Sequence, residues 1–340
     1  MKRLLTVQDI SCVGKCSLTV ALPILSAMGI EACPLPTAVL STHTAFEHYT
    51  FRDLTEEIPL IEEAWEKEDL RFDTITSGYL GSVRQIQYVR EISRRFGKTQ
   101  AGKAAAGSAA GASGSASGAG GSSSAAGADG GSLSAAGADG GAADHGGQGL
   151  CTAAPASGAD GSGKALRIVD PAMADGGQLY KGFTMEFVEE MKGLCGEADV
   201  IVPNLTEGCL LTGMAYREDG DEDYWKELLV GLAGLGCRSV VLTGFSAGGG
   251  IGAISYSVDS GRFRSYVNER LPVQYHGTGD IFASVLAGAL TLGRTLDEAV
   301  RLSVDFTLES MRATQRDPQR VFYGVNFEEA IPQLVDALRT

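Results

Sequence analysis

A short glycine-rich turn, followed by a carboxylate and an apolar segment, lies in the last quarter of the chain. It reads His276-Gly277-Thr278-Gly279-Asp280, and the apolar residues from Ile281 onward predict a helix. The first N–H groups of a helix lack partners within it, and the helix dipole adds partial positive charge, so such a terminus binds phosphate. A carboxylate there suggests phosphoryl transfer, with Asp280 accepting the proton of an attacking hydroxyl. Taken alone, the motif is explained equally well by Asp280 as the N-cap of a buried helix.

Strands and helices alternate along most of the remaining chain, which indicates an α/β fold. We predict helices over 17–28, 53–69, 82–96, 183–194 and 224–235 and from about Thr278 and Leu296, strands over 4–7, 30–39, 73–77, 166–169, 199–202 and 239–243, and a hairpin formed by 253–258 and 262–267. This alternation implies a mostly parallel sheet with helices on both faces. Pro34 and Pro36 indicate an edge or irregular strand, because proline donates no ladder hydrogen bond.

Polar residues stand at the predicted carboxyl ends of these strands, where α/β sheets bind their ligands. They are Asp9, Gly78, Tyr79, Asp170, Asn204, Glu207 and Thr243. We therefore expect several distant segments to meet at one edge of the sheet, near the glycine turn. This convergence favours a functional role for Asp280 over that of a cap.

Two acidic residues of this set suit a Mg²⁺ site, and each has a structural alternative. Glu207 lies three residues after Asn204 at a predicted helix start, where its carboxylate could bind Mg²⁺ directly or through water. The same spacing is that of a capping box, which is favoured for this motif in isolation. Asp170, before Pro171, could act at Mg²⁺ or the phosphates. It could equally be an ordinary turn residue, since Asp and Pro are common in turns, and the sequence favours neither interpretation.

Two loop clusters offer groups for a planar ligand. Tyr79, within Ser77-Gly-Tyr-Leu-Gly-Ser82, could stack on a ring, and His43, within Thr42-His43-Thr44, could hydrogen-bond one. The alternative is a half-buried tyrosine and a surface histidine, and the sequence alone slightly favours it.

Composition limits the cellular setting and the partners. The net charge of −14 argues against a broad nucleic-acid or anionic-membrane surface. No apolar run reaches membrane-spanning length, and the N-terminus becomes polar too early for a signal peptide. Seven cysteines without a CxxC pair, and without histidine at ligand spacing, make a zinc site implausible. We expect a cytoplasmic protein with reduced thiols.

Residues 99–164 differ in composition from the rest of the chain. They contain 19 of the 46 glycines, no aromatic residue, and a block Ser-Ala-Ala-Gly-Ala-Asp-Gly-Gly that occurs at 124–131 and again at 134–141. Such a segment has too little apolar surface to offset the entropy of ordering. We expect a flexible, disordered insert between 1–98 and 165–340, which together form a single domain.

Taken together, the motifs resemble the ribokinase-like superfamily and, within it, the pyridoxal/pyridoxamine kinases. Gly277-Thr-Gly-Asp280 and Asn204-x-x-Glu207 resemble the superfamily signatures. Five further segments resemble motifs of the pyridoxal kinase branch: Val7-Gln8, His43-Thr44, Ser77–Ser82, Asp170-Pro171-x-Met173 and Pro203-Asn204-Leu205. The similarity runs over 3–97 and 166–325. It implies a three-layer ribokinase-like fold with a small antiparallel hairpin.

The resemblance also implies an activity and roles for individual residues. The activity is ATP-dependent phosphorylation of the 5′-hydroxymethyl group of pyridoxal, pyridoxine or pyridoxamine, in vitamin B6 salvage. Asp280 would be the catalytic base, the amides of Gly277, Thr278 and Gly279 the anion hole, and Asp170 and Glu207 the groups at Mg²⁺ or the nucleotide phosphates. Nucleotide phosphates would lie near Asn204, Thr243 and Gly244, and the pyridine ring near Asp9, Ser11, His43, Thr44 and Tyr79. A monovalent cation and a homodimer are further expectations from the family.

One departure from the family bears on the substrate. Many pyridoxal kinases have Ser where this chain has Asp9, and a carboxylate there could favour an amine-bearing vitamer, with Ser11 supplying the hydroxyl. A kinase for hydroxymethylpyrimidine, another flat heteroaromatic alcohol, is the alternative within the superfamily. A non-catalytic binding module is disfavoured because Asp280, its glycines and Glu207 are all retained.

Overall fold

A computed structural model describes residues 1–97 and 164–339 of the chain. Its strands are β1 (Arg3–Ser11), β2 (Glu31–Leu40), β3 (Phe51–Asp53), β4 (Thr74–Ser77), β5 (Leu166–Val169), β6 (Ala174–Asp175), β7 (Gln178–Leu179), β8 (Val200–Ile201), β9 (Ser239–Ala247), β10 (Gly250–Ser257) and β11 (Arg262–Glu269). Its helices are α1 (Leu18–Ala27), α2 (Ile58–Lys67), α3 (Val83–Arg95), α4 (Met185–Gly196), α5 (Leu205–Thr212), α6 (Glu222–Ala233), α7 (Thr278–Thr291), α8 (Leu296–Arg316) and α9 (Ile331–Arg339), with a 3₁₀ turn over Phe327–Ala330.

The central sheet is mostly parallel, as the strand–helix alternation predicts. Its order is β11-β10-β9-β8-β5-β4-β1-β2-β3, and the neighbours from β9 to β2 run parallel. Antiparallel strands complete both ends, with β10 and β11 at one end and β3 at the other. The small sheet of β6 and β7 is antiparallel. The predicted fold class is therefore confirmed.

Two apolar layers cover the two faces of the sheet, because successive side chains of a strand point to opposite sides. In β1, Leu5 packs into the layer with α2 to α6, whereas Leu4 packs into the layer with α1, α7, α8 and α9. Because β1 is covered on both faces, it is buried over almost its whole length, and this includes the polar residues Thr6, Gln8 and Asp9. Both faces of the sheet are therefore packed against helices, and the polar residues at its carboxyl edge follow these buried strands.

Most predicted elements are present, with ends shifted by a few residues. Helix α9 and the short strands β3, β6 and β7 were not predicted, and the β9–β10 hairpin extends beyond the predicted strand at 239–243. Strand β3 pairs only with Ala38–Leu40. Pro34 and Pro36 therefore lie in the part of β2 that β3 does not reach, where a missing N–H costs no ladder bond.

The predicted insert at 99–164 lies outside the described residues, except for Lys164. Its flanks lie beside each other, because the Ala165 amide donates a hydrogen bond to the Gly97 carbonyl and the Leu166 amide donates to that of Asp73. None of the helices described over 1–97 and 164–339 is long and apolar enough to span a membrane. The six cysteines in these ranges are free thiols.

Candidate active site

The glycine turn forms the N-terminus of α7, with open space in front of it. Gly277 is the N-cap residue in the left-handed region (φ 80), no side chain caps the helix, and Asp280 lies in the first turn. The alternative in which Asp280 is the N-cap is therefore wrong. A Cβ placed on Gly279 would meet nothing within 4 Å. The first amides of α7 thus have no side-chain cap, and binding of an anion there stays a prediction.

Asp280 is half-buried in the first turn of α7. The Ser17 amide hydrogen-bonds its carboxylate. Burial raises the pKa of Asp280 to about 7, the Ser17 amide opposes that rise, and the negative charge of Asp9 adds to it. A carboxylate with a pKa near neutrality can accept a proton and release it again, which is the property of a general base.

Asp9 lies at an irregularity in the sheet and near enough to Asp280 for its charge to act on it. The register between β1 and β2 shifts between Gln8 and Ile10, and such irregularities redirect side chains. Asp9 is 7% exposed, and its Oδ1 accepts a hydrogen bond of 2.6 Å from the Ser17 hydroxyl. Burial raises the pKa of Asp9, against the effect of that hydrogen bond.

A small cavity joins the base to the strand ends. It has a volume of about 20 Å³, enough for roughly one water molecule, and it lies between the sheet and α7. The polar residues lining it include Thr6, Gln8, Thr76, Asp170 and Asp280. Asp170 and Asp280, far apart in the sequence, are therefore brought to one place. Burial raises the pKa of Asp170 well above its usual range, and the charges of Glu207 and Asp280 raise it further.

Glu207 forms the capping box that its spacing from Asn204 allows. Glu207 Oε2 accepts from the Asn204 amide at 2.9 Å, and Asn204 Oδ1 accepts from the Glu207 amide at 2.9 Å. Glu207 Oε1 also accepts from the Met173 amide at 3.0 Å. Glu207 thereby fixes the turn that follows Asp170. A part in metal binding stays a prediction, and in the described part of the chain no three His, Cys, Asp or Glu side chains form a metal cluster.

Thr243 and Gly244 lie in β9, next to Asn204 at the carboxyl edge of the sheet. Thr243 pairs with Asn204 in an isolated parallel bridge, and its amide donates to the Pro203 carbonyl at 2.9 Å. Thr243 is half-buried and Gly244 exposed. Both lie beside the start of α5, and their part in nucleotide binding stays a prediction.

The residues predicted to contact a ring are spread more widely. Tyr79 is half-buried, and burial and the charge of Asp9 raise the pKa of its hydroxyl. The His43 ring lies 5.2 Å from that of His276, which brings this loop to the glycine turn. Thr44 is exposed in the same loop. Ser11 is 1% exposed, and its hydroxyl accepts from the Cys16 thiol at 3.7 Å, so it is screened from solvent.

Sequence reasoning missed the loop before α1, which contacts both the base and the anion turn. Ser17 bridges Asp9 and Asp280, and the Lys15 carbonyl lies against Gly277. The Lys15 ammonium points elsewhere, to Glu328 at 2.8 Å and Asn326 at 3.2 Å. Ser17 carries the one available signal, since a serine before an apolar helix predicts an N-cap and not a contact with two acids.

Comparison with known proteins identifies the family to which the chain belongs. The family model for phosphomethylpyrimidine kinase matches residues 158–324. A candidate phosphomethylpyrimidine kinase from Bacteroides thetaiotaomicron is 32% identical, with 98% of this chain and 93% of that chain covered and a TM-score of 0.76. The chain belongs to the phosphomethylpyrimidine kinase family of ribokinase-like kinases. The predicted superfamily is thereby confirmed.

Two other relatives show the breadth of this kinase family. The pyridoxal kinase from Lactobacillus plantarum is 26% identical, with 99% and 97% of the two chains covered and a TM-score of 0.72. The thiamine biosynthesis bifunctional protein ThiED of Geobacter sulfurreducens is 32% identical over 152 residues, which are 44% of this chain. The chain spans about 30% of the length of that curated relative. The Bacteroides protein has also been solved with pyridoxal, at a TM-score of 0.74.

Proposed function

We propose that this kinase transfers the γ-phosphoryl group of ATP to the 5′-hydroxymethyl group of a B6 vitamer: pyridoxal, pyridoxamine or pyridoxine. The observation that carries the proposal is the position of Asp280, a carboxylate with a pKa raised to about 7, in the first turn of a helix whose leading amides are uncapped. A base and an anion site are thus within one helical turn. Phosphoryl transfer to an alcohol requires both.

The residues present fit a magnesium–nucleotide complex. The uncapped N-terminus of α7 and the space in front of Gly279 suit a phosphate. Asp170 supplies a carboxylate, the oxygen ligand that Mg²⁺ prefers, while both oxygens of Glu207 already accept backbone amides. Asp170 is therefore the stronger candidate for direct binding, and Glu207 for orienting the loop or binding through water. When bound, ATP supplies the phosphoryl group and Mg²⁺ neutralises its charge.

The protein's own contribution is positioning, proton acceptance and charge stabilisation. Asp280 accepts the proton of the hydroxymethyl group as its oxygen attacks, and the Ser17 amide stabilises the ionised carboxylate. The amides of Gly277, Thr278 and Gly279 donate to the oxygens on which negative charge is concentrated. Tyr79, close enough to Asp9 for its charge to raise the pKa of the Tyr79 hydroxyl, and His43, whose ring lies beside that of His276, are the candidates for holding a flat ring.

Hydroxymethylpyrimidine is the second candidate substrate. It is favoured by the match to the phosphomethylpyrimidine kinase model and by the similarity to the thiamine biosynthesis protein. The pyridoxal-bound structure of the Bacteroides relative favours the B6 vitamers. Asp9 adds a reason to expect an amine-bearing vitamer, because a buried carboxylate pairs favourably with an ammonium group.

A substrate panel tests the proposal. Release of ADP from MgATP is measured with pyridoxal, pyridoxamine, pyridoxine and hydroxymethylpyrimidine, with Asp280→Asn as the background control. We expect the highest kcat/KM with a B6 vitamer, pyridoxamine above pyridoxine. A higher kcat/KM for hydroxymethylpyrimidine would transfer the assignment to the second candidate. No turnover of any of the four would refute both. We further propose the cytoplasm, a reducing compartment, as the setting.

A further inference from the structure

Ser17 has a backbone conformation that an L-residue adopts at a cost. In the described part of the chain only Ser17 and Asp69 have positive φ without being glycine. Ser17 has φ 48 and ψ −130, outside the regions that side-chain-bearing residues prefer. Asp69, with φ 50, follows the end of α2, where a left-handed residue commonly ends a helix. Ser17 has no such explanation, and costly conformations of this kind cluster at functional sites.

The conformation allows one residue to serve two carboxylates on different elements. The Ser17 amide hydrogen-bonds Asp280 of α7, and the Ser17 hydroxyl donates to Asp9 of β1 at 2.6 Å. Ser17 is also the N-cap residue of α1, but its side chain makes no capping hydrogen bond. The hydroxyl that would stabilise the helix is thus used to hold Asp9.

We propose that Ser17 is a positioning residue that fixes the Asp9 carboxylate against the substrate and holds it in register with Asp280; this inference rests on the proposed function. Asp9 is 7% exposed, and a 2.6 Å hydrogen bond to a carboxylate is short and strongly directional. It restricts Asp9 to one orientation. The substrate then meets a preorganised acceptor, and the ordering cost of binding falls.

Two substitutions at Ser17 distinguish the effect of its hydroxyl from the effect of its backbone conformation. Ser17→Gly removes the hydroxyl, keeps the amide and makes the backbone conformation unstrained. Ser17→Ala removes the hydroxyl and keeps the unfavourable conformation. Asp69→Gly is the matched control, because it relieves the other positive φ outside the candidate site and removes a surface ion pair with Arg71.

Steady-state kinetics and thermal melts of these variants test the inference. We expect Ser17→Gly and Ser17→Ala to raise KM for pyridoxamine by about tenfold, as loss of a hydrogen bond to a charged group does. KM for MgATP should stay at the wild-type value, and so should all constants of Asp69→Gly. Tm of Ser17→Gly should equal or exceed that of the wild type, and Tm of Ser17→Ala should fall below it.

The outcomes distinguish this inference from the proposed function. Wild-type turnover combined with an unchanged KM for pyridoxamine in Ser17→Gly would overturn the inference alone. Equal rises in KM for pyridoxamine and MgATP would also overturn it, since they indicate a general loosening of the site. A wild-type enzyme that phosphorylates no vitamer would overturn the proposed function, and the inference with it.

Discussion

The carbonyl oxygen of Lys15 occupies the space into which a side chain at Gly277 would project. A Cβ on Gly277 would lie 2.1 Å from that oxygen, well inside contact distance, and Gly277 itself has a φ of 80. The loop before α1 and the anion turn before α7 are therefore in direct backbone contact. The same loop also carries Ser17, so one segment contacts the glycine turn through Lys15 and the two carboxylates Asp9 and Asp280 through Ser17.

Gly277→Ala is expected to disrupt this contact. Gly293→Ala is the matched control, since Gly293 also has positive φ (87) but nothing lies within 4 Å of a Cβ there. The control should lose about 1 kcal/mol of stability for the left-handed alanine. Gly277→Ala should lose at least about 2 kcal/mol more and most of its kcat, because the turn must move. Equal Tm values and equal kcat values for the two variants would contradict the contact.

Asp280→Asn tests the base. The amide cannot accept the substrate proton, and we expect kcat to fall by about 10²–10⁴-fold, the usual contribution of a general base. The asparagine is isosteric, so binding of MgADP, measured by calorimetry, should change by less than about threefold. Full turnover in this variant would remove Asp280 from the mechanism.

The pH dependence of kcat/KM should report the same carboxylate. Asp280 must be ionised to accept a proton, and its pKa is raised to about 7. The rate should therefore fall about tenfold per pH unit below neutrality, and rise to a plateau above about pH 7. A profile that is flat from pH 5 to pH 8 would contradict the raised pKa.

Stability should depend on pH in the opposite direction. A folded-state pKa above the unfolded value of 3.8 means that the folded state binds the proton more tightly. The contribution of Asp280 to the free energy of unfolding is therefore fully present below about pH 4. It is lost as the pH rises through about 7. Asp280→Asn should thus raise Tm at pH 8 by a few degrees, corresponding to about 1–2 kcal/mol, and leave Tm nearly unchanged at pH 4.

The parts of the site that the sequence predicts are those set by local structure. The turn at Gly277–Gly279 and the residue after a strand, such as Asp170, depend on a few neighbours and on the parallel topology. The two functions of Ser17 depend on β1 and α7 being adjacent, which no local pattern records. Strand β3 has three residues, too few for a period-two signal to be detected. Glu207 illustrates a different difficulty, because one spacing is compatible with both a capping box and a metal site, and the pattern alone favours the box.

Glu207→Gln separates those two roles when it is compared with Glu298→Gln. Glu298 forms an equivalent capping box with Thr295 at the start of α8, away from the strand-end edge. Glu207 additionally accepts the Met173 amide, so its glutamine variant should lose about 1–3 kcal/mol, more than that of Glu298.

The discriminating measurement is the Mg²⁺ dependence of the rate. A metal role predicts a rise of about tenfold or more in the Mg²⁺ concentration for half-maximal rate in Glu207→Gln. The value for Glu298→Gln should be that of the wild type. If the two variants share the wild-type Mg²⁺ dependence and differ only in Tm, Glu207 is a structural residue.

Replacement of residues 98–163 by a short Gly/Ser linker should leave the kinase intact. Ala165 donates to the Gly97 carbonyl, so the two flanks already meet and a few residues can join them. Shortening a loop changes its closure entropy only logarithmically. We expect kcat/KM within about twofold of the wild type and a Tm that is equal or slightly higher. A variant that fails to fold, or whose KM for the vitamer rises while its Tm holds, would show that the segment contributes to the domain or to the site.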